Sequence, residues 1–204
     1  MYVVTIDQRG SRIHGDKVDE LLTSHPVQAL TPDHAGVVRA FERTVGDEVQ
    51  AVLDDARVVV DLVLDVARRG GWSIGIGAGD VDEPLPESSR AGSGTAFILA
   101  RTAVEAAKSR TRTVALAVRG ADDGAGRDAE AVLVLAAATA ARRSAAGWEV
   151  IDALSSGVDS RQEDVAAALG ISQQAVSQRL RTALHDEELA ARHAAARLLD
   201  LAQG

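Results

Sequence analysis

Residues 161–184 show the pattern of two short amphipathic helices joined by a glycine turn, and this pattern constrains the fold more than any other segment. In RQEDVAAALGISQQAVSQRLRTAL, Gly170 permits a sharp turn and the small Ala166 lets two helices cross closely. Ser172 is placed to cap the second helix through its hydroxyl. The apolar residues expected to close the pair are Val165, Leu169, Ile171, Val176 and Leu180. The spacing therefore predicts a helix-turn-helix.

The second helix of this pair carries side chains that can bond to DNA. Its outer face would present amide, hydroxyl and guanidinium groups, which bond base edges and phosphates in a major groove. The candidate DNA-binding residues are Arg161, Ser172, Gln173, Gln174, Ser177, Gln178, Arg179 and Arg181. The alternative is a helical hairpin that touches no nucleic acid. The cap, the turn glycine and the polar face together favour double-stranded DNA as a partner.

The net charge of −8 is unusual for a DNA-binding chain. Residues 129–204 hold 7 basic and 10 acidic side chains, so this part is not basic overall. Binding would depend on a local cluster such as Arg161, Arg179 and Arg181, presented twice by a homodimer. A last helix from about 183 to 202 has an apolar stripe that could pair two subunits or pack onto its own domain.

Composition narrows the class of protein further. The chain has no cysteine, which excludes a disulfide framework and a thiolate metal site. No apolar run reaches the length of a membrane span, and no basic, apolar leader is present. We therefore expect a soluble, cytoplasmic protein with no membrane partner.

The first 119 residues alternate strand and helix patterns. Strands are expected at 2–7, 37–45, 48–53, 72–81 and 113–119, and helices at about 16–24, 54–69 and 94–108. The order is βαββαβ in outline, which predicts an α+β, ferredoxin-like or palm-like antiparallel sheet with helices on one face. Residues 120–128 are rich in Gly and Asp and predict a linker, so the expected domains are 1–119 and an all-α domain at 129–204.

Two aspartates are expected to meet at one corner of this sheet. Asp7 ends the first strand, and Asp47 lies in the hairpin turn that should sit beside it. Such carboxylates can share Mg²⁺, which prefers oxygen ligands. Gly10, Ser11 and Arg12 directly follow and could offer backbone N–H groups and a guanidinium to phosphate oxygens. This corner predicts a site for a nucleotide with Mg²⁺.

The same segments resemble the SatD family of bacterial proteins over roughly residues 1–119. The shared features are Asp7 followed by Ser11-Arg12, the turn Gly46-Asp47-Glu48-Val49-Gln50, the strand Gly75-Ile76-Gly77-Ala78-Gly79 and the helix Gly94-Thr95-Ala96-Phe97 to Ala100-Arg101. The glycines at 75–79 either permit close packing of a helix on the sheet or contact phosphate.

More distantly, the segment is similar to the palm-like fold of class III nucleotide cyclases and diguanylate cyclases. That similarity implies that Asp7 and Asp47 bind metal ions and that Arg101 steadies a transition state. Arg101 could instead pair with a core carboxylate. The chain departs from class III cyclases at Phe97, where they carry a catalytic Asn, and this weighs against catalysis. The candidate ligand-binding residues are Gly10, Ser11, Arg12, Gly46 and Arg101.

These patterns predict a sequence-specific DNA-binding regulator whose cyclase-like domain senses a nucleotide or a nucleotide-derived ligand. One alternative is a nucleotidyl cyclase or related phosphoryl-transfer enzyme with an appended DNA-binding module. Another is an interaction protein whose N-terminal domain only dimerises. The retained acidic residues Asp7, Asp47 and Glu48 favour ligand binding over that last possibility.

Overall fold

A five-stranded sheet forms the centre of the molecule. The computed structural model describes residues 1–109, 112–156 and 161–204. The strands are β1 Tyr2–Gln8, β2 Val37–Arg43, β3 Glu48–Leu53, β4 Trp72–Ala78 and β5 Leu116–Gly120, in the order β2-β3-β1-β4-β5. The pairs β2–β3, β3–β1 and β1–β4 are antiparallel, whereas β5 runs parallel to β4. The prediction of a fully antiparallel sheet is therefore wrong for β5, because a helix crosses over between β4 and β5 and restores the strand direction.

Within the described ranges, helices surround this sheet and then continue to the end of the chain. They are α1 Ser11–His14, α2 Val18–Leu22, α3 His25–Ala29, α4 Ala56–Arg69, α5 Thr95–Ala107, α6 Asp123–Ala140, α7 Ala145–Ser155, α8 Gln162–Leu169, α9 Gln173–Thr182 and α10 His185–Ala202. Among them, none combines the length and the apolar character that crossing a membrane requires.

Helices cover both faces of the sheet, not one face as predicted. On β1, Tyr2, Val4 and Ile6 belong to the cluster formed with α4, α6 and α10, while Val3 packs with α5 on the opposite face. The cause is the central position of β1, whose residues Tyr2–Ile6 are all buried. A strand that is apolar on both sides must be covered on both sides.

Two glycines of β4 bring α5 unusually close to the sheet. A Cβ atom on Gly77 would lie 2.1 Å from the carbonyl oxygen of Ala96, and one on Gly75 would lie 2.3 Å from the backbone nitrogen of Val104. Any side chain at either position would overlap the helix backbone. Of the two roles expected for these glycines, close helix packing is the one that the structure confirms for Gly75 and Gly77.

The segment 120–128, predicted as a linker, contains the end of β5 and the first six residues of α6. Asp122 caps this helix by accepting a hydrogen bond from the Ala125 nitrogen at 2.8 Å. A Cβ on Gly126 would lie 2.7 Å from the nitrogen of Gly120 at the end of β5, so this glycine allows close contact. The glycine content that suggested a linker has a packing cause instead.

Helices α6 and α10 join the hydrophobic core of the sheet. Leu133 of α6 and Leu199 of α10 are fully buried in the same cluster as the strands. The Tyr2 hydroxyl of β1 also donates a hydrogen bond to Asp200 of α10 at 2.7 Å. Packing therefore does not divide at residue 119, and we call the sheet with α1–α6 and α10 the α+β body.

Helices α7–α9 form a second, smaller cluster, which we call the three-helix unit. Its core is Val150, Ile151, Val165, Ala166, Val176, Leu180 and Ala183. Gly170 ends α8 in the left-handed conformation with φ of 63°, and the Ser172 hydroxyl accepts a hydrogen bond from the Ala175 nitrogen at 3.2 Å. The predicted turn, cap and apolar seal are all confirmed.

Polar contacts join the three-helix unit to the α+β body. Between α6 and α7, Arg143 has a side chain only 2% exposed and forms an ion pair with Glu188 of α10. Its Nε atom also donates to the carbonyl of Ala183 at 2.7 Å, next to Leu184, whose φ of 52° is left-handed. Nearby, Arg68 of α4 forms two hydrogen bonds with Asp152 of α7 at 2.6 and 2.7 Å.

Gly77→Ala tests the close packing of α5. We expect a lower free energy of unfolding by about 3 kcal/mol or more, because the added methyl overlaps helix backbone that cannot move alone. Gly79→Ala is the matched control, since a Cβ there meets Thr95 at an ordinary 3.4 Å. Chemical denaturation of both variants measures the difference. Equal stabilities would contradict the role given to Gly77.

Arg143→Leu tests the junction between the α+β body and the three-helix unit. Removing Arg143 takes one of two cations from the buried Glu188, which keeps Arg192 at 2.5 Å, and takes a donor from the Ala183 carbonyl, so we expect a loss of about 2 kcal/mol of unfolding free energy. The control is Arg142→Leu at the neighbouring residue, which is exposed. A small effect at both positions in denaturation curves would show that the ion pair does not hold the junction.

Candidate nucleic-acid interface and ligand pocket

The outer face of α9 presents a row of polar side chains. Val176 and Leu180 turn inward and are buried in the three-helix unit. The opposite face carries Gln173, Gln174, Gln178 and Arg181, all exposed, with Ser177 partly exposed beside them. The structure therefore gathers these five candidate residues on the solvent side of one helix.

The remaining candidates for DNA contact are more constrained. Arg179 forms an ion pair with Glu149 of α7 at 2.8 Å, and its side chain is 30% exposed. The Ser172 hydroxyl is engaged in the helix cap. Arg161 is exposed at the start of α8, where its backbone nitrogen donates to Asp164 at 3.2 Å. Among these three residues, Arg161 alone has a side chain with no hydrogen bond or ion pair to the part of the chain that the structure describes.

A cavity of about 780 Å³ opens between the β2–β3 hairpin and α5. Of the ligand-site residues predicted from the sequence, it brings together Asp7 and Arg101. It is lined by Thr5, Asp7, Thr44, Val45, Glu48, Gln50, Asp82, Arg90, Gly92, Ser93, Gly94, Thr95, Phe97, Ile98 and Arg101. We call it the hairpin pocket. Arg101 has no carboxylate partner within the described ranges, so it does not pair with a core carboxylate.

Other predicted ligand residues do not line the hairpin pocket. Gly10 adopts a left-handed φ of 72° and begins α1, so Ser11 and Arg12 lie in that short helix. Gly46 lies in the β2–β3 turn, and its carbonyl accepts a hydrogen bond from Arg43 at 3.1 Å. Asp47 is in the same turn, where its carbonyl accepts from the Gln8 nitrogen. These residues are close to the hairpin, but they do not form one phosphate cradle.

A lysine occupies the corner where the sequence predicted a metal ion. The Nζ atom of Lys108, just after α5, lies 3.0 Å from Asp7 and 2.8 Å from Glu105. Asp7 is only 16% exposed in its side chain. Burial raises the pKa of the Asp7 carboxyl above its usual value, Lys108 opposes this rise, and the neighbouring carboxylates of Asp47 and Glu48 add to it.

The residues at this corner do not fit a Mg²⁺ centre. Across residues 1–109, 112–156 and 161–204, no three His, Asp or Glu side chains are grouped so that they could hold a metal ion. The carboxylate of Asp7 is already neutralised by an ammonium group. Mg²⁺ demands near-octahedral oxygen coordination and would have to displace Lys108.

Phe97 has a packing role beside the pocket. A Cβ on Gly92 would lie 2.1 Å from the ring atom Cζ of Phe97, so the ring rests directly on this glycine. The ring joins the apolar cluster of Val3, Val52 and Leu85. Phe97 therefore supplies apolar surface beside the pocket.

Sequence reasoning missed Arg90 and Lys108. Arg90 lies in a short 3-10 turn, Ser89–Ala91, within a stretch whose composition indicates only a loop. Lys108 ends an alanine-rich helix and belongs to no recognisable motif. The length of α5 could have indicated the position of Lys108. The helix starts beside the pocket at Gly94 and runs back along the sheet, so the residue after its last turn lies near the end of β1.

Comparisons with known proteins give no relatives. No protein-family model matches the chain, and neither a curated protein nor a solved structure matches it significantly. The resemblance to the SatD family therefore stays a prediction.

Asp7→Asn tests the electrostatics of this corner. Because the folded-state pKa of Asp7 is raised, its contribution to stability is present below the ordinary aspartate pKa and is lost as pH rises through the raised value. We therefore expect the free energy of unfolding of the variant, minus that of the parent protein, to increase from acidic to neutral pH. Denaturation across that range measures the difference, and Asp33→Asn at an exposed loop position supplies the baseline. A pH-independent difference for Asp7→Asn would contradict the assignment.

Proposed function

We propose that this chain is a sequence-specific DNA-binding transcriptional regulator and that α9 is its recognition helix. The observation that carries the proposal is the exposed polar row on α9, backed by a separate apolar core. Glutamine amides pair with adenine edges, and an arginine guanidinium pairs with guanine or phosphate. The helix is also presented by a compact unit with a capped start, as in helix-turn-helix proteins.

The charge distribution favours recognition of base edges by α9 over nonspecific electrostatic attraction to the DNA phosphates. The chain carries a net charge of −8, and Arg179 is occupied by Glu149. Few free cations, Arg161 and Arg181 among them, are left near α9 to contact phosphates, so one copy would bind weakly. We therefore propose that a homodimer presents two recognition helices to one site on double-stranded DNA.

The α+β body is proposed to sense a nucleotide-derived ligand in the hairpin pocket. The resemblance to the SatD family and to the palm-like fold supports this role, and the pocket joins Asp7 with Arg101. A ligand changes DNA binding only if it binds two arrangements of the protein with different affinity. The polar junction around Arg143 is the connection through which such a difference would reach α9. A cyclase activity has less support, because Phe97 and the Asp7–Lys108 pair replace the polar and metal groups that it needs.

Gln174→Ala and Arg181→Ala test the recognition helix. Each is expected to weaken specific DNA binding by about 1–3 kcal/mol in binding free energy, because a base or phosphate contact is lost. Fragments selected from a random DNA pool supply the target site, and fluorescence anisotropy over a series of salt concentrations measures the affinity. Arg181→Ala should also reduce the salt dependence if this residue contacts phosphate.

Two controls share the chemistry of these changes. Gln28→Ala on α3 and Arg57→Ala on α4 remove exposed side chains of the same types from the α+β body. Both are expected to bind DNA like the parent protein. If no DNA sequence is selected from the random pool, or if all four variants bind the selected DNA equally well, then α9 does not read DNA.

A further inference from the structure

Two guanidinium groups in the hairpin pocket have no protein partner. Arg90 and Arg101 are exposed, and neither side chain forms a hydrogen bond or ion pair with any described residue. A guanidinium suits phosphate because its planar fork donates two parallel hydrogen bonds. Two such groups lining one cavity, from a loop turn and from α5, point to a ligand with an anionic oxygen cluster.

Two acidic side chains of this pocket, Glu48 and Asp82, are held by hydroxyl groups. Thr44 donates to Glu48 at 2.6 Å, and Ser93 donates to Asp82 at 2.8 Å. Each carboxylate has further acceptor sites, so both can accept hydrogen bonds from hydroxyl or amino groups. The pocket therefore offers acceptors for a polar ligand in addition to its two free cations.

Apolar side chains at the same pocket are left open to water. Val45 of the β2–β3 hairpin is 77% exposed and Ile98 of α5 is 69% exposed. Large apolar groups exposed together in a cavity, beside the Phe97 ring, offer a surface for an apolar or planar part of a ligand.

Lys108 supplies the cation that a metal-dependent site would take from solution. It neutralises Asp7 from within the chain, so the pocket keeps two guanidinium groups, Arg90 and Arg101, and two carboxylates, Glu48 and Asp82. A phosphate monoester carries a charge of about −2 at neutral pH and can accept hydrogen bonds from both guanidinium groups. A triphosphate carries more negative charge, is repelled more strongly by the two carboxylates, and relies on Mg²⁺ to offset its charge.

We propose that the hairpin pocket binds a ligand of the nucleoside monophosphate class without a divalent metal ion. Arg90 and Arg101 hold the phosphate, Val45 and Ile98 cover the base, and Lys108 replaces the metal. The proposal rests on the ligand-sensing role proposed above and departs from the Mg²⁺ dependence that the aspartates suggest.

Calorimetric titration of the full chain tests the proposal. The probes are AMP, GMP, ATP and GTP, each added in buffer with EDTA and in buffer with Mg²⁺. We expect a monophosphate to bind equally tightly in both buffers and more tightly than the triphosphate of the same base. Binding that requires Mg²⁺, or that favours the triphosphate, would overturn this inference while leaving ligand sensing intact. Failure of all four probes in both buffers would count against this ligand class and against nucleotide sensing together.

Substitutions locate the site and the role of Lys108. Arg90→Gln and Arg101→Gln are each expected to weaken monophosphate binding by about tenfold or more, whereas Arg57→Gln on α4 leaves it unchanged. Lys108→Met should weaken binding in both buffers, because the Asp7 carboxylate is left without its counter-ion, and adding Asp7→Asn should restore it. No effect of the arginine changes would exclude this pocket. No restoration in a folded Lys108→Met/Asp7→Asn protein, checked by circular dichroism, would exclude the neutralising role of Lys108. The wild-type titrations decide metal dependence even if a variant does not fold.

Discussion

The close contact between α5 and β4 sets the position of the groups that α5 brings to the hairpin pocket. Because Gly75 and Gly77 have no side chains, the backbone of α5 lies directly on the strand. This contact fixes Arg101 near the middle of the helix and Lys108 just beyond its end. If a methyl group at either position pushed α5 outward, Lys108 would move away from Asp7. The electrostatics of the site therefore depend on two positions that carry no charge.

The local parts of the structure could be predicted from the sequence, and the long-range parts could not. Gly170 and Ser172 act on residues within one helical turn, so the α8–α9 pair and its cap follow from the chain alone. The direction of β5 and the covering of both sheet faces depend on where distant elements meet. Gly126 illustrates the difficulty, because a glycine that permits close packing looks in sequence like a glycine in a linker.

The candidate site shows the same division. Asp7 and Arg101 lie in recognisable motifs, and the structure places both on the hairpin pocket. Their ionic partners could not be predicted, because the pairing of Lys108 with Asp7 joins residues far apart in the chain and depends on the exact end of α5. A sequence motif records which carboxylate is present, whereas only the fold shows which cation neutralises it.

The three-helix unit leaves the α+β body after α6 and returns to it at α10. Both connections meet at Arg143, which bonds to the carbonyl of Ala183 and pairs with Glu188. The unit is thus attached where the outgoing and the returning chain lie side by side, and again where Arg68 bonds to Asp152. A tilt about Arg143 that broke the Arg68–Asp152 pair would move α9 with the whole unit and leave the apolar core of the unit intact. In the homodimer that we propose, a small tilt at each Arg143 would change the distance between the two copies of α9, and this distance would have to match the turn of the DNA.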